Sequence, residues 1–190
     1  MDIDKVITKI ARDSIMEKLS EENIIDRQLI LHDFSKLNEI RACFVTLQMP
    51  DANNIKQLRG CIGTLYPHRS LLEDIIHNAK SAAFNDPRFE PVAPDEIENI
   101  SIEVSVLSEP AIIGYKNIED LKAMIIPLKH GVIIKKGFNR AVFLPDVWDK
   151  LPDFYQFFEH LCRKAGLNIS YLNSLDQVEI FEVTKYSESV

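Results

Sequence analysis

From residue 3 to 19, Ile3, Val6, Ile7, Ile10 and Leu19 recur near helical spacing and predict a helix with one apolar stripe. A polar stretch rich in Asp, Arg and Glu follows. Ala42-Cys43-Phe44-Val45-Thr46-Leu47 is then a short β-prone run, ending at Pro50 and the turn-forming Asp51-Ala52-Asn53-Asn54. Gln57 to Leu65 reads as the second arm of that hairpin. Ser70-Leu71-Leu72-Glu73 is a capping box, and Leu72, Ile75, Ile76, Ala79 and Ala83 continue the buried face of the helix it opens. That helix stops before Asn85-Asp86-Pro87, because the residue ahead of a proline is pushed out of helical geometry.

Ile100 to Val106 alternates strictly with period two, the pattern of a strand with one buried face. Asn117 to Ala123 predicts a short helix. Val132-Ile133-Ile134 and Ala141-Val142-Phe143-Leu144 flank Gly137 as a second hairpin. Asp153 caps a helix with Phe154, Phe157, Phe158, Leu161 and Ala165 on one face, closed by Gly166 at the position after its end. Trp148, between Pro145 and Pro152, is expected as a packing plug. A last strand is expected at about 178–183, with a polar tail beyond. Helices and antiparallel hairpins alternate without a βαβ repeat, so the expected class is α+β, antiparallel sheets with flanking helices.

Composition narrows the field. The chain has 190 residues, 46% hydrophobic and 27% charged, as expected for a globular protein. Its net charge of −7 argues against a nucleic-acid partner, whose binders are normally basic. No apolar run of about 18 residues predicts a membrane span, and the amino-terminal residues carry charges throughout, with no apolar core of a secretory signal. Three cysteines, at 43, 61 and 162, fit neither a disulfide framework nor a paired zinc motif. Free thiols in a reducing, cytoplasmic compartment are the reading that follows. Cys43, in an apolar strand, and Cys162, beside the phenylalanine stripe, are expected to be buried.

The chain spends its rare residues unevenly: with 6 Gly and 3 Cys in all, Leu58-Arg59-Gly60-Cys61-Ile62-Gly63-Thr64 takes two of one and one of the other. A thiol needs a nearby positive charge or amide donors to act as a nucleophile at neutral pH. Arg59 lies two residues away, on the same face of a regular strand. Gly60 and Gly63 would bare the backbone where a ligand or another chain segment comes close. The residues alone leave two readings open, a reactive or ligand-touching thiol, and a small buried hydrophobe beside a bulge. At Asp86-Pro87-Arg88-Phe89, Arg88 could grip a carboxylate or phosphate, or pair within the chain. His130, before Gly131, could be a base or a surface residue. No paired histidine spacing suggests a metal, and no GxGxxG, Walker or GxSxG motif suggests a cofactor.

Taken in order, these stretches resemble the AMMECR-one family. The matching segments are Cys43 to Leu47, the LRGCIGT run at 58–64, Asp86 to Pro91, Ile102 to Leu107, His130-Gly131, Phe143-Leu144-Pro145 and Lys164 to Leu167. The resemblance implies one α+β domain over residues 1–190 with two unequal lobes, the larger made from both chain ends and the smaller from the middle. It further implies a cleft between them lined by signature residues, here Arg59, Gly60, Cys61, Gly63, Asp86, Arg88 and His130. The family often has glycine two residues before the His-Gly pair, where this chain has Leu128. No established reaction comes with the resemblance. Prokaryotic relatives are associated with a Memo-like protein and a radical S-adenosylmethionine protein, suggesting partners. This chain has no CxxxCxxC motif and would not be the radical-forming member.

Two functions are therefore carried forward. One is a module that binds a small ligand or a protein partner around Cys61, with Arg59, Gly60, Gly63, Asp86 and Arg88 at the site. The other is a cysteine-dependent enzyme, with Cys61 as nucleophile and His130 as general base.

Overall fold

The computed structural model describes residues 2–188. In chain order the elements are α1 (Ile3–Ser20), α2 (Arg27–Asp33), β1 (Cys43–Pro50), β2 (Lys56–Gly63), α3 (Leu71–Phe84), β3 (Ser101–Leu107), β4 (Ala111–Ile113), α4 (Ile118–Met124), β5 (Gly131–Lys136), β6 (Asn139–Phe143), α5 (Val147–Lys150), α6 (Phe154–Lys164), β7 (Gln177–Phe181) and β8 (Val183–Ser187). The strands form two antiparallel sheets, ordered β2-β1-β3-β8 and β4-β7-β5-β6. The α+β class expected from the alternation of helices and hairpins is what the chain adopts. It packs as two compact units. One comprises the chain up to Leu107 and from Thr184 onward, and the other is Ser108–Val183.

In the first unit, period-two alternation in β1 sends Cys43, Val45 and Leu47 into the core, each completely buried. Ile102, Val104 and Val106 of β3 lie beside them. The stripe of α1 (Val6, Ile7, Ile10, Ala11, Ile15) and that of α3 (Leu72, Ile75, Ile76, Ala79, Ala82, Ala83) complete this core. Ser70 caps α3 as expected, its side chain accepting from the Glu73 N–H.

In the second unit, α6 places Phe154, Phe157, Phe158, Leu161 and Cys162 against Val132, Ile134 and Val178 of the sheet. Trp148 is buried here and stacks on Phe157, with ring centres 3.6 Å apart. Gly166 ends α6 at φ +74°, and the Leu167 N–H returns to the Cys162 carbonyl, closing the helix as the glycine predicted.

Three expectations need correction. The polar stretch after α1 contains a helix, α2, whose Asp26 cap accepts from the Leu29 N–H but which buries no residue fully, so no wide apolar stripe announced it. Strand β4, only three residues long, is too short to show a period. The last strand and polar tail are two strands: β7 ends at Phe181 in the second sheet, and β8 adds an edge to the first. The polarity of β8 reflects an edge with one face wet, not the absence of structure.

Gly60 is set by this packing. A Cβ there would lie 2.2 Å from the Ala82 carbonyl oxygen, so α3 rests directly on the backbone of β2. A Cβ at Gly114 would meet nothing within 4 Å. Gly60→Ala is therefore expected to cost about 3 kcal/mol in chemical denaturation, as over-packing against unyielding backbone does, while Gly114→Ala stays near wild type. Equal stability of the two variants would refute this account of the helix–strand contact.

Candidate functional site

The LRGC strand is an edge strand, and its pairing with β1 is irregular. Leu47 faces Gly60 and Gln48 faces Leu58, leaving Arg59 as the extra residue of a bulge. The bulge breaks the alternation that would have put Arg59 and Cys61 on one face. Arg59 instead makes a two-pronged ion pair with Glu96, at 2.8 Å on each prong, and its guanidinium carbon lies 6.0 Å from the Phe89 ring centre. The hydrogen bond from Arg59, aided by one from the Ala93 N–H, holds the Glu96 carboxyl below its ordinary range. Glu96 thus takes Arg59 Nε and Nη2, while Nη1 is buried without a hydrogen-bond partner among the described residues.

Cys61 faces Thr46 across the strands, on the side of the sheet away from α1 and α3. The Thr46 hydroxyl donates to its sulfur at 3.4 Å, and the residue is half-buried. The Cys61 peptide is gripped from the outer edge of the sheet. Its N–H donates to Asp86 Oδ2 at 2.9 Å, and its carbonyl accepts from Arg88 Nη2 at 3.3 Å. Arg88 in turn binds both oxygens of Asp86, at 2.9 and 2.6 Å. The Asp86-Arg88 pair therefore does what a neighbouring strand would do, supplying one acceptor and one donor to one peptide. Arg88 also lies over Phe89, 5.4 Å from its ring centre.

Asp86 is almost wholly buried, and its carboxyl is held far below the usual range, first by the Arg88 guanidinium and further by the N–H groups of Cys61 and Arg88. Gly63 carries no ligand space either. A Cβ there would meet the Phe44 ring at 2.2 Å, directly across the ladder. Of the two openings left for the glycines, a close chain segment is the one found at both Gly60 and Gly63.

A buried network that sequence reading missed lies beside the site. Asp74 of α3 accepts from the Cys43 N–H at 2.9 Å and from the Thr64 hydroxyl at 2.7 Å, and Arg69 stands 3.4 Å away. Asn78 donates to the Cys43 carbonyl at 3.0 Å and to Asp74. A signal was present: Asp74 and Asn78 stand four residues apart on the flank of the apolar arc of α3 that begins at Leu71, where a solvated face would not place them. Burial first, with Asp74's charge added, raises the Cys43 thiol well above its ordinary value. Burial also raises Cys162. Both match the expectation of inert, buried thiols, and all three cysteines are free.

His130 belongs to the second unit. Its ring is buried and its Nδ1 accepts from the Ile126 N–H at 3.2 Å, while its backbone N–H donates to the Ile126 carbonyl at 2.9 Å. Its carbonyl accepts from Trp148 Nε1 at 2.9 Å. Burial lowers its pKa, which favours the neutral ring. A neutral histidine whose Nδ1 accepts carries its proton on Nε2, and the ring also hydrogen-bonds to the Met124 backbone, so it is engaged within its own turn. The general-base role expected of His130 conflicts with this arrangement. The turn it clasps contains Leu128 at φ +65°, the left-handed region where glycine is at ease. The family's glycine two residues before His-Gly thus has a conformational reason, and this chain keeps the conformation without the glycine.

Among the described residues no group of histidine, cysteine and acidic side chains could hold a metal ion. A groove of about 830 Å³ elsewhere in the first unit lies against Asp4, Arg12, Glu98 and Glu188 and includes none of the signature residues.

With the fold and the Cys61 edge described, the class is that of an α+β protein whose signature residues fasten an edge strand. The sequence profile of the AMMECR1 family matches residues 8–186, and the chain belongs to that family. Protein Mbar_A1807 of Methanosarcina barkeri is 38% identical over 165 residues, covering 86% of this chain and 79% of that one. Protein MK0488 of Methanopyrus kandleri is 35% identical over 190 residues, covering 96% and 86%. The crystal structure of the uncharacterized protein PH0010 from Pyrococcus horikoshii superposes with a TM-score of 0.81 at 32% identity, covering 97% of this chain and 90% of that one.

Two outcomes test these assignments. Asp86 has a depressed folded-state pKa, so its contribution to stability is complete above its unfolded value of about 3.9 and is lost as pH falls toward the folded value. The difference in Tm between wild type and Asp86→Asn should be level above about pH 5 and shrink below pH 4; a difference that grows on acidification would overturn the clamp. Leu128→Gly should relieve the left-handed strain and stabilise the protein by up to about 1 kcal/mol, measured by denaturant unfolding, and a loss of stability would show that the leucine is needed for packing.

Proposed function

We propose that this chain is a binding module whose recognition surface centres on the Cys61 thiol and Thr46, and that Cys61 is not the nucleophile of a Cys–His pair. One observation carries the reading. Gly60, Gly63, Asp86 and Arg88 each have a task in holding the strand and Glu96 takes two of the three Arg59 nitrogens, whereas the thiol of Cys61 has one weak hydrogen bond, from Thr46. Serine or alanine would satisfy the fold at position 61, so the sulfur is the signature atom left over for function. Both arginines sit on carboxylates, which favours a neutral or softly polar ligand group over a strongly anionic one. His130, with its acceptor nitrogen engaged, offers little as a base.

Partners of the kinds the family resemblance suggests, a Memo-like protein and a radical S-adenosylmethionine protein, are the first to test against this surface. Three free cysteines fit a reducing, cytoplasmic setting. Among the described residues no helix is long and apolar enough to cross a membrane.

The test uses three forms of the protein: wild type, Cys61→Ser, and wild type carbamidomethylated at Cys61 with iodoacetamide. Each is melted against a library of small metabolites. A ligand at a hundred times its Kd stabilises by about 2.7 kcal/mol, which is about 5–10 °C in a chain of this size. Compounds that raise the Tm of wild type, raise that of Cys61→Ser less, and fail on the carbamidomethylated protein support the binding module. Compounds that shift all three forms equally place the site elsewhere. A compound that leaves a mass adduct on Cys61 and turns over only with wild type makes the protein a thiol enzyme.

A further inference from the structure

The face of the first sheet that carries Cys61 holds more than its thiol. Thr46 pairs with Cys61 on one side and with Glu103 of β3 on the other, so these three side chains form one row across three strands. Phe44 pairs with Gly63 and with Ser105 in the next row. The alternate residues Val45, Ile102 and Val104 are buried in the core on the opposite face. From β8, the Ser187 hydroxyl donates to Glu103 Oε2 at 3.2 Å and the Lys185 ammonium lies 3.5 Å from Oε1.

Two observations mark the Glu103 end of the row. Ser105 is 5% exposed, yet its hydroxyl makes no hydrogen bond among the described residues. A hydroxyl so far withdrawn from water is normally partnered. Glu103, in turn, is not filled by its neighbours. A carboxylate offers about four acceptor sites; Ser187 takes one, and Lys185 stands at the limit of hydrogen-bond distance. An ion pair this exposed, with side chains 43% and 29% accessible, contributes about 1 kcal/mol at most. The fold therefore does not depend on the pair, which sets an anionic acceptor beside a cationic donor and cancels their charge.

We propose, resting on the binding surface assigned to Cys61, that its ligand is a small neutral molecule with a carboxamide at one end. The amide N–H groups donate to Glu103, its carbonyl accepts from Lys185, and the Ser105 hydroxyl lies beside them. The rest of the molecule runs over Thr46 to the Cys61 sulfur. Size favours this occupant. Neighbouring strands are about 4.8 Å apart, so the row is about 10 Å long. That is the length of a small molecule, whereas a stable protein contact needs about 800 Å² on each partner. Charge narrows the choice further: Glu103 repels a carboxylate, Lys185 repels an ammonium, and an amide satisfies both.

The full chain is equilibrated with the symmetric disulfides of ω-mercaptoalkanamides of increasing length, against a fixed excess of 2-mercaptoethanol. Cys61 exchanges into a mixed disulfide and releases one thiol. Cys43 and Cys162 are completely buried, so intact mass reads the occupancy of Cys61. Carboxylate, ammonium and branched-alkyl tethers of the same lengths are run alongside, on wild type, Glu103→Ala and Lys185→Met. At one length the amide should be retained roughly tenfold better than the other three, as a hydrogen bond to a charged group contributes. Both variants should lose that preference at unchanged Tm. Glu103→Ala should in addition favour the carboxylate tether, because the negative charge beside Lys185 is gone. Equal retention of all tethers at every length, a wild-type preference for a charged tether, or an amide preference that survives in both variants overturns the carboxamide assignment and leaves the Cys61 surface standing. No exchange at Cys61 with any tether overturns the surface itself, and the assignment with it.

Discussion

The constraint on which the first unit depends is that the backbone groups of Cys43 and Cys61 need partners that the strands supply only in part, the Thr64 N–H to the Cys43 carbonyl, so that side chains must supply the rest. Both solutions come from α3 and the turn that follows it. Asp74 and Asn78 take the N–H and the carbonyl of Cys43. Asp86 and Arg88 take those of Cys61. Between them, the Ala82 carbonyl lies against Gly60. Residues 74, 78, 82 and 86 advance by four, so one ridge of the helix and its continuation runs along the β1–β2 hairpin and fixes it at every step. A buried peptide left without partners costs as much as a lost hydrogen bond, so the acidic residues of this ridge are as much part of the sheet as the strands.

This arrangement changes what the signature residues mean. An arginine beside a cysteine suggests an anion site or a lowered thiol pKa, and two arginines suggest it twice. Here Arg59 and Arg88 are each matched by a nearly or partly buried carboxylate, and the pairs hold backbone rather than await a ligand. They also close the outer edge of β2. Its bulge at Arg59 and its occupied Cys61 peptide leave no regular row of free donors and acceptors for another strand to join.

Much of the fold was legible because a long apolar stripe or a strict alternation is stable only as the element whose period it matches. Helices α1, α3 and α6 and strands β1 and β3 stand where their periods put them. The capping residues Ser70 and Asp153 and the terminating Gly166 mark real helix ends for the same local reason. The site was legible as a set of residues but not as a geometry. A one-residue bulge reverses every side chain beyond it, and although the glycines made a bulge one of the two readings, no residue type says at which position it falls, so the relative facing of Arg59 and Cys61 could not be read from their spacing. Glu96 and Thr46, the partners of these two residues, are separated from them by 37 and 15 positions, and only tertiary folding brings them near.

The glycines show why such a motif points to a place more surely than to a chemistry. Gly63 lies under the ring of Phe44, its neighbour across the ladder, and Gly131 lies under the ring of Phe181 in the other sheet in the same way. In both sheets a cross-strand phenylalanine covers the bare backbone, which protects the strand's hydrogen bonds and leaves no room for even a methyl group. A ligand approaching bare backbone and a ring lying over it demand the same absence of Cβ, so the sequence is identical under either cause. What separates them is the identity of the residue directly opposite, which depends on register. Once register is known, the glycines, Asp86 and Arg88 are accounted for by the protein itself. Arg59, in contrast, keeps one buried nitrogen without a hydrogen-bond partner among the described residues, and the half-buried sulfur of Cys61 has one weak hydrogen bond, from Thr46.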